Sequence, residues 1–194
     1  MELIHLRPAD YVTTQWSGGA TTQLAIAPEG AVYADRDFLW RISSATVTVK
    51  ESDFTPLPDY HRLISVLQGE MTLTHNGGEP FTLHPYEVHS FEGSDHTHSW
   101  GQCTDFNLML RRGQAEGAME HLALAGERVT VPILPQTEEL LLYCAEGCCN
   151  TDCKGENLTI RAGESLLLRQ PCGAVLTLES VGNAHLMLCR MWRV

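Results

Sequence analysis

Histidines crowd one stretch of this chain: His84, His89, His96 and His98, the last two inside the polar run GSDHTHSW. Imidazole suits zinc, copper, iron and nickel, so His89, His96 and His98, with His61, could form a divalent-metal centre. Surface and loop histidines in a short polar run are the other reading, since histidine-rich tracts also bind metal adventitiously. The cysteines Cys144, Cys148, Cys149 and Cys153 cluster without the paired C-x2-C spacing of zinc sites, and no histidine nearby completes a ligand set. There are seven cysteines in all and no export signal is visible, so free thiols in a reducing cytosol are expected. Nucleophilic catalysis has little to build on: there is no G-x-S-x-G elbow, and nothing places Cys103 beside a histidine.

Arginines offer different chemistry, because a guanidinium grips a carboxylate through two parallel hydrogen bonds. Arg41 and Ser43 alternate with Trp40 and Ile42, so on a strand the two pairs face opposite sides. Arg41 and Ser43 are assigned to the interior, although period two alone leaves an exposed Arg41 open. Asp105 and Asn107 share a face opposite Phe106 and Leu108. They would bond a ligand, orient an arginine, or complete turns. Trp16 precedes a Gly-rich turn and would either pack in the core or lid a cavity mouth.

The elements that must position these residues read as strands. FLWRISSATVTV is rich in β-branched and aromatic residues. Residues 61–74 form two strands joined at Gln68-Gly69, and Asn76-Gly77-Gly78 is a turn signal. Short strands follow at residues 80–83, 86–91 and 104–110. The second half repeats the texture at 138–144, 158–160, 164–168, 175–178 and 185–191, with a turn-rich stretch between 144 and 155. Residues 114–125 read as a strand or mixed linker. Many short strands at such spacing predict a sandwich or barrel. LISVLQGEMTL with LHPYEVHSFEG in the first half parallels LLLYCAEGC with IRAGESLLLRQPCG in the second, placing a repeat boundary within 112–126.

A net charge of −11, from 24 acidic and 13 basic residues, argues against nucleic acid and anionic membrane surfaces as partners. The N-terminus shows no signal peptide and no apolar run is long enough to span a bilayer.

These strands invite comparison with cupin barrels, whose motifs are G-x5-H-x-H-x3,4-E-x6-G and G-x5-P-x-G-x2-H-x3-N. With the first motif ending at Gly69, its glutamate position falls on Arg62 and its histidine positions on Pro56 and Pro58. Proline has no ligand atom, and arginine repels a cation. In the second motif His96 takes the histidine position beyond Gly93, while Phe91 and Trp100 replace the proline and asparagine. A guanidinium thus stands where cupin ligands converge, which suits an anionic ligand. An Arg62 buried and paired with Asp105 is the alternative.

Three stretches then resemble the HutD/Ves family of bicupin proteins. WSGGATTQL over residues 16–24 is similar to the family's W…G-x-T-x-E opening. FLWRISSA and FTPLPDYHR resemble W-R-x-S-x-A and F-S-x-F-P-G-x-D/E-R. FEG, followed by GQCTDFNLMLRR, resembles F-x-G and G-x-x-x-D-F-N-x-M-x-R-R. The opening is shorter than the family's and lacks its Asn, Gln23 and His61 stand where acids are usual, and Asp59 replaces a Gly. The resemblance implies a cytoplasmic protein linked to histidine utilisation or stress, sensing a pathway intermediate with formylglutamate the favoured candidate.

The expected fold is therefore all-β, a bicupin of two fused cupin-like (jelly-roll) barrels. Residues 1–115 would carry the ligand pocket and 116–194 a degenerate structural barrel. The expected function is binding of a small carboxylate without a cofactor, by a protein that is non-enzymatic or weakly catalytic. Arg62 would hold the carboxylate, with Arg41, Ser43, Asp105, Asn107, Trp16 and His61 around it and a homodimer possible. A metal-dependent dioxygenase or isomerase using His89, His96 and His98, and a protein–protein regulator without a small ligand, are the rival readings.

Overall fold

The computed structural model describes residues 1–171 and 173–194, and every regular element among them is a β-strand apart from two short 3-10 turns. The chain divides into two compact units, one of Tyr11–Glu116 with Val194, the other of Met1–Asp10 with Gly117–Arg193. Residues 1–10, expected in the first unit, thus belong to the second. The cause is β1 (Glu2–Leu6), whose backbone pairs antiparallel with a strand near the other end of the chain, matching Glu2 to Arg169 and Leu6 to Ser165.

The Tyr11–Glu116 unit contains β2 (Val12–Trp16), β3 (Gly19–Ala27), β4 (Trp40–Val47), β5 (Glu51–Asp53), β6 (Tyr60–Gly69), β7 (Met71–His75), β8 (Phe81–Leu83), β9 (Val88–Glu92), β10 (Thr97–Trp100) and β11 (Cys103–Arg111). They form a six-stranded sheet in the order β2-β3-β4-β11-β6-β9 and a four-stranded sheet β5-β10-β7-β8. Alternation drives the packing. Ile64, Val66 and Phe91 of the larger sheet meet Met71, Leu73 and Leu83 of the smaller in one core, each such side chain stabilising the fold by about 1.5–3 kcal/mol. The Asn76-Gly77 turn between β7 and β8 has positive φ at both residues, 54° and 70°, the geometry that Asn-Gly adopts at least cost. The polar GSDHTHSW run is half strand, because β10 pairs with both β5 and β7.

The other unit adds β12 (Ala115–Ala125), β13 (Arg128–Pro132), β14 (Glu139–Glu146), β15 (Cys148–Cys153), β16 (Glu156–Arg161), β17 (Ser165–Arg169), β18 (Val175–Ser180) and β19 (Asn183–Arg193). Its sheets run β1-β17-β14-β19-β12 and β13-β18-β15-β16, around a core of Leu140, Leu142, Leu166, Leu168, Leu186 and Leu188 facing Leu176, Leu178 and Ile160. The stretch read as turn-rich is strand β15. Its Cys149 and Cys153 point into this core with Cys144, and burial pushes the Cys144 and Cys149 thiols up to about 12 and about 11. These are packing thiols. Cys172 lies outside the described residues.

Candidate functional site

Three neighbouring strands of the six-stranded sheet set the site in rows. Pairing of β11 with β4 and β6 aligns Arg41, Met109 and Arg62 in one row, and Ser43, Asn107 and Ile64 in the next. The third row is Ala45, Asp105 and Val66, beyond which the register shifts between Asp105 and Thr104. Directly paired residues point to the same side of a sheet, so Arg41, Arg62, Ser43, Asp105 and Asn107 converge. They line a cavity of about 330 Å³, closed further by Thr14, Trp16, Thr21, Tyr33, Phe54 and Thr55.

Every one of these convergent polar residues is buried. Arg41 is held on two sides: its Nε–H donates to Gln23 Oε1 at 2.8 Å and its Nη1–H to Ser43 Oγ at 3.1 Å. The Tyr33 ring receives its guanidinium at 4.1 Å and that of Arg36 at 3.9 Å, cation–π contacts that partly replace hydration. Arg41 is thus interior, and burial lowers its pKa.

Arg62 packs against rings. Its guanidinium carbon lies 5.0 Å from the centroids of both Phe54 and Phe91, and among the described residues its buried Nε has no hydrogen-bond partner. Burial pulls its pKa down to about 10, so it stays charged at neutral pH. The expected alternative of an Arg62–Asp105 ion pair is not formed among the described residues. Asp105 instead accepts the Ala45 N–H at 3.2 Å. Burial raises its carboxyl to about 7, against the pull of that N–H and of Arg62 and Arg41.

Trp16 is 40% exposed, so it is no core residue; it lines the cavity. Gly18 makes room for it, since a Cβ there would sit 2.0 Å from the Trp16 ring. Gly93 is a second close approach: an added Cβ would meet the Leu57 carbonyl at 2.1 Å. Its N–H donates to Tyr60 O and its carbonyl accepts from Leu57 N–H, docking the loop that carries Phe54.

His61 does not join the site. It follows Tyr60 and precedes Arg62 on β6, so it points to the opposite side, where its Nδ1 lies 2.9 Å from Glu92 Oε1. Nor do His89, His96 and His98 gather. His98 pairs with Asp53 at 2.7 Å, His96 is exposed, and His89 Nε2 lies 2.9 Å from Nε2 of His75. Among the described residues no group of three or more metal-ligating side chains comes together. The cavity donors do not fit the divalent cation that cupin barrels hold, because two guanidiniums face the space it would occupy. Sequence reasoning missed Tyr33, which sits in a 3-10 turn without periodic signal. It also missed Phe54 as a wall, although its motif was recognised.

The fold has clear relatives among solved structures. A conserved protein of unknown function from Pseudomonas aeruginosa PAO1 is 24% identical, with a TM-score of 0.87 over 98% of this chain and 99% of that one. HutD from Pseudomonas fluorescens SBW25 is 22% identical, with a TM-score of 0.77 over the whole of both chains. A cupin 2 conserved barrel domain protein from Leptotrichia buccalis, 11% identical, superposes with a TM-score of 0.60 over 98% of this chain and 97% of that one. The all-β fold is thus cupin-like. No curated protein matches the sequence. The family model for HutD matches residues 8–187, and this chain belongs to the HutD family.

Proposed function

We propose that the chain is a small-carboxylate binder that senses an anionic intermediate of histidine breakdown, formylglutamate being the leading candidate. It acts in the cytoplasm, without a resident metal and without catalysis. The observation that carries this reading is Arg62: a charged, buried guanidinium that lines a cavity and whose Nε lacks an acceptor. Uncompensated buried charge is costly, and a ligand carboxylate would supply the acceptor that Nε lacks and could grip the guanidinium through a second, parallel hydrogen bond. Arg41, Ser43 and Asn107 add polar groups around it, while Trp16 and Phe54 give the apolar walls usual for a ligand pocket. Membership in the HutD family supports the histidine-derived candidates.

A thermal-shift titration tests the reading, because a ligand that binds only the native state raises its melting point. Histidine, urocanate, formiminoglutamate, formylglutamate and glutamate are each compared with and without EDTA. A saturable rise with one acid, insensitive to EDTA and lost in Arg62→Ala, is expected. No rise with any acid, together with a large fall on adding EDTA, would overturn it.

A further inference from the structure

Asn107 is 4% exposed, lines the cavity, and its Oδ1 is buried with no donor bonded to it among the described residues. Its neighbours do not supply one. Ser43, directly across on β4, takes the Arg41 Nη1–H, and Ile64, across on β6, is apolar. Buried amide oxygens in native proteins are nearly always bonded. One that faces a cavity marks where a ligand brings hydrogen.

We infer that Asn107 reads a hydrogen-bond donor on the ligand, so that the cavity selects carboxylates that also carry an N–H or O–H group over simple carboxylates of the same shape. This rests on the carboxylate reading above and adds a second requirement to it. The two needs are opposite in kind. Arg62 Nε requires an acceptor, whereas Asn107 Oδ1 requires a donor. An ionised carboxylate only accepts, so it satisfies the first and leaves the second unmet. Asn107 sits one position diagonally from Arg62 on β6 and from Arg41 on β4, a separation of roughly 7–8 Å between backbone positions. The donor and the carboxylate therefore belong to one small molecule a few bonds long, such as an N-acylated or N-formylated amino acid or a hydroxy acid.

The test compares formylglutamate with glutarate, which keeps both carboxylates and lacks the whole formamido group with its N–H, by calorimetric titration of the full chain and of Asn107→Leu. The wild type should bind formylglutamate on the order of tenfold or more tightly than glutarate, since a lost donor strands a buried acceptor. Asn107→Leu should lose this preference and bind both acids about equally. Equal binding of the two acids by the wild type overturns the inference and leaves the carboxylate reading standing. Binding of neither overturns both. A preference that survives in Asn107→Leu assigns the donor to another group and overturns the role of Asn107. Should the variant fail to fold, 2-(formyloxy)glutarate, which keeps both carboxylates and the formyl group and replaces only the N–H by oxygen, takes its place: binding by the wild type as tight as that of formylglutamate overturns the inference.

Discussion

Arg62 and Asp105 line one cavity from adjacent strands, both buried, with no ion pair joining them among the described residues. Each is left to its surroundings: the guanidinium lies beside two phenyl rings that meet edge to face, and the carboxyl takes one backbone N–H.

Ligand affinity should therefore depend on pH near neutrality. Asp105, with its carboxyl raised to about 7, is neutral below that pH and adds a negative charge to the cavity above it. Burial pushes Cys103 up to about 12, and Arg62 at about 10 remains cationic, so Asp105 dominates the window. Carboxylate affinity should fall as pH rises through 7, by at most about tenfold per unit if one proton is taken up with the ligand. Asp105→Asn should flatten this dependence, as titrations at pH 6 and 8 would reveal. Stability follows the same sign. The folded carboxyl is raised above its unfolded value of about 3.9, so its contribution is present at low pH and lost as pH climbs to about 7.

Replacing Arg62 by leucine should separate stability from binding. Even a buried ion pair is often replaced by well-packed apolar residues with a neutral effect or a gain of about 1–4 kcal/mol, and here leucine would pack against Phe54 and Phe91. Arg62→Leu is expected to raise the melting temperature of the free protein while abolishing the ligand-induced rise. A lowered melting temperature would mean that the guanidinium is compensated after all.

The imidazole pair predicts acid sensitivity of the opposite sign. His75 Nε2 and His89 Nε2 lie 2.9 Å apart, with His75 Nδ1 2.8 Å from the Thr97 hydroxyl. Burial lowers both pKa values, and His75 further lowers that of His89. The folded state thus resists protons that the unfolded state accepts below about 6.5, and stability is lost as pH falls beneath that value. In His89→Phe, which keeps a ring between Phe81 and Phe91, thermal melts between pH 5 and 6.5 should show a shallower dependence than in the wild type.

Trp16, which lines the cavity and is partly exposed, should govern escape more than entry. Trp16→Ala is expected to raise the dissociation rate several-fold with little change in association, as affinity changes within one interface fall mostly on the off-rate. Gly18→Ala should act alike, because its Cβ would collide with the Trp16 ring. Stopped-flow displacement measures both.

Strands that bury one face were legible, since Trp40-Arg41-Ile42-Ser43 and Asp105-Phe106-Asn107-Leu108 carry period two in plain view, and their polar members are the cavity residues. The alternation that assigned Arg41 inward also bars His61 from the side that Arg62 faces. That neighbour rule was available from sequence alone. Strand β15, CCNTDC, gave no signal because thiols and small polar residues do the work of aliphatics there. The short β10 depends on partners on both sides. No local pattern reveals that β1 pairs with a segment more than 150 residues away.

A cation buried without a counter-ion has a consequence for turnover. Whatever anion neutralises Arg62 adds its binding free energy to the native state and thins the population of opened molecules. Where proteases draw on that population, a shift of one or two kcal/mol alters steady-state abundance several-fold. Occupancy of the cavity is thereby convertible into the lifetime of the protein itself, with no moving part required.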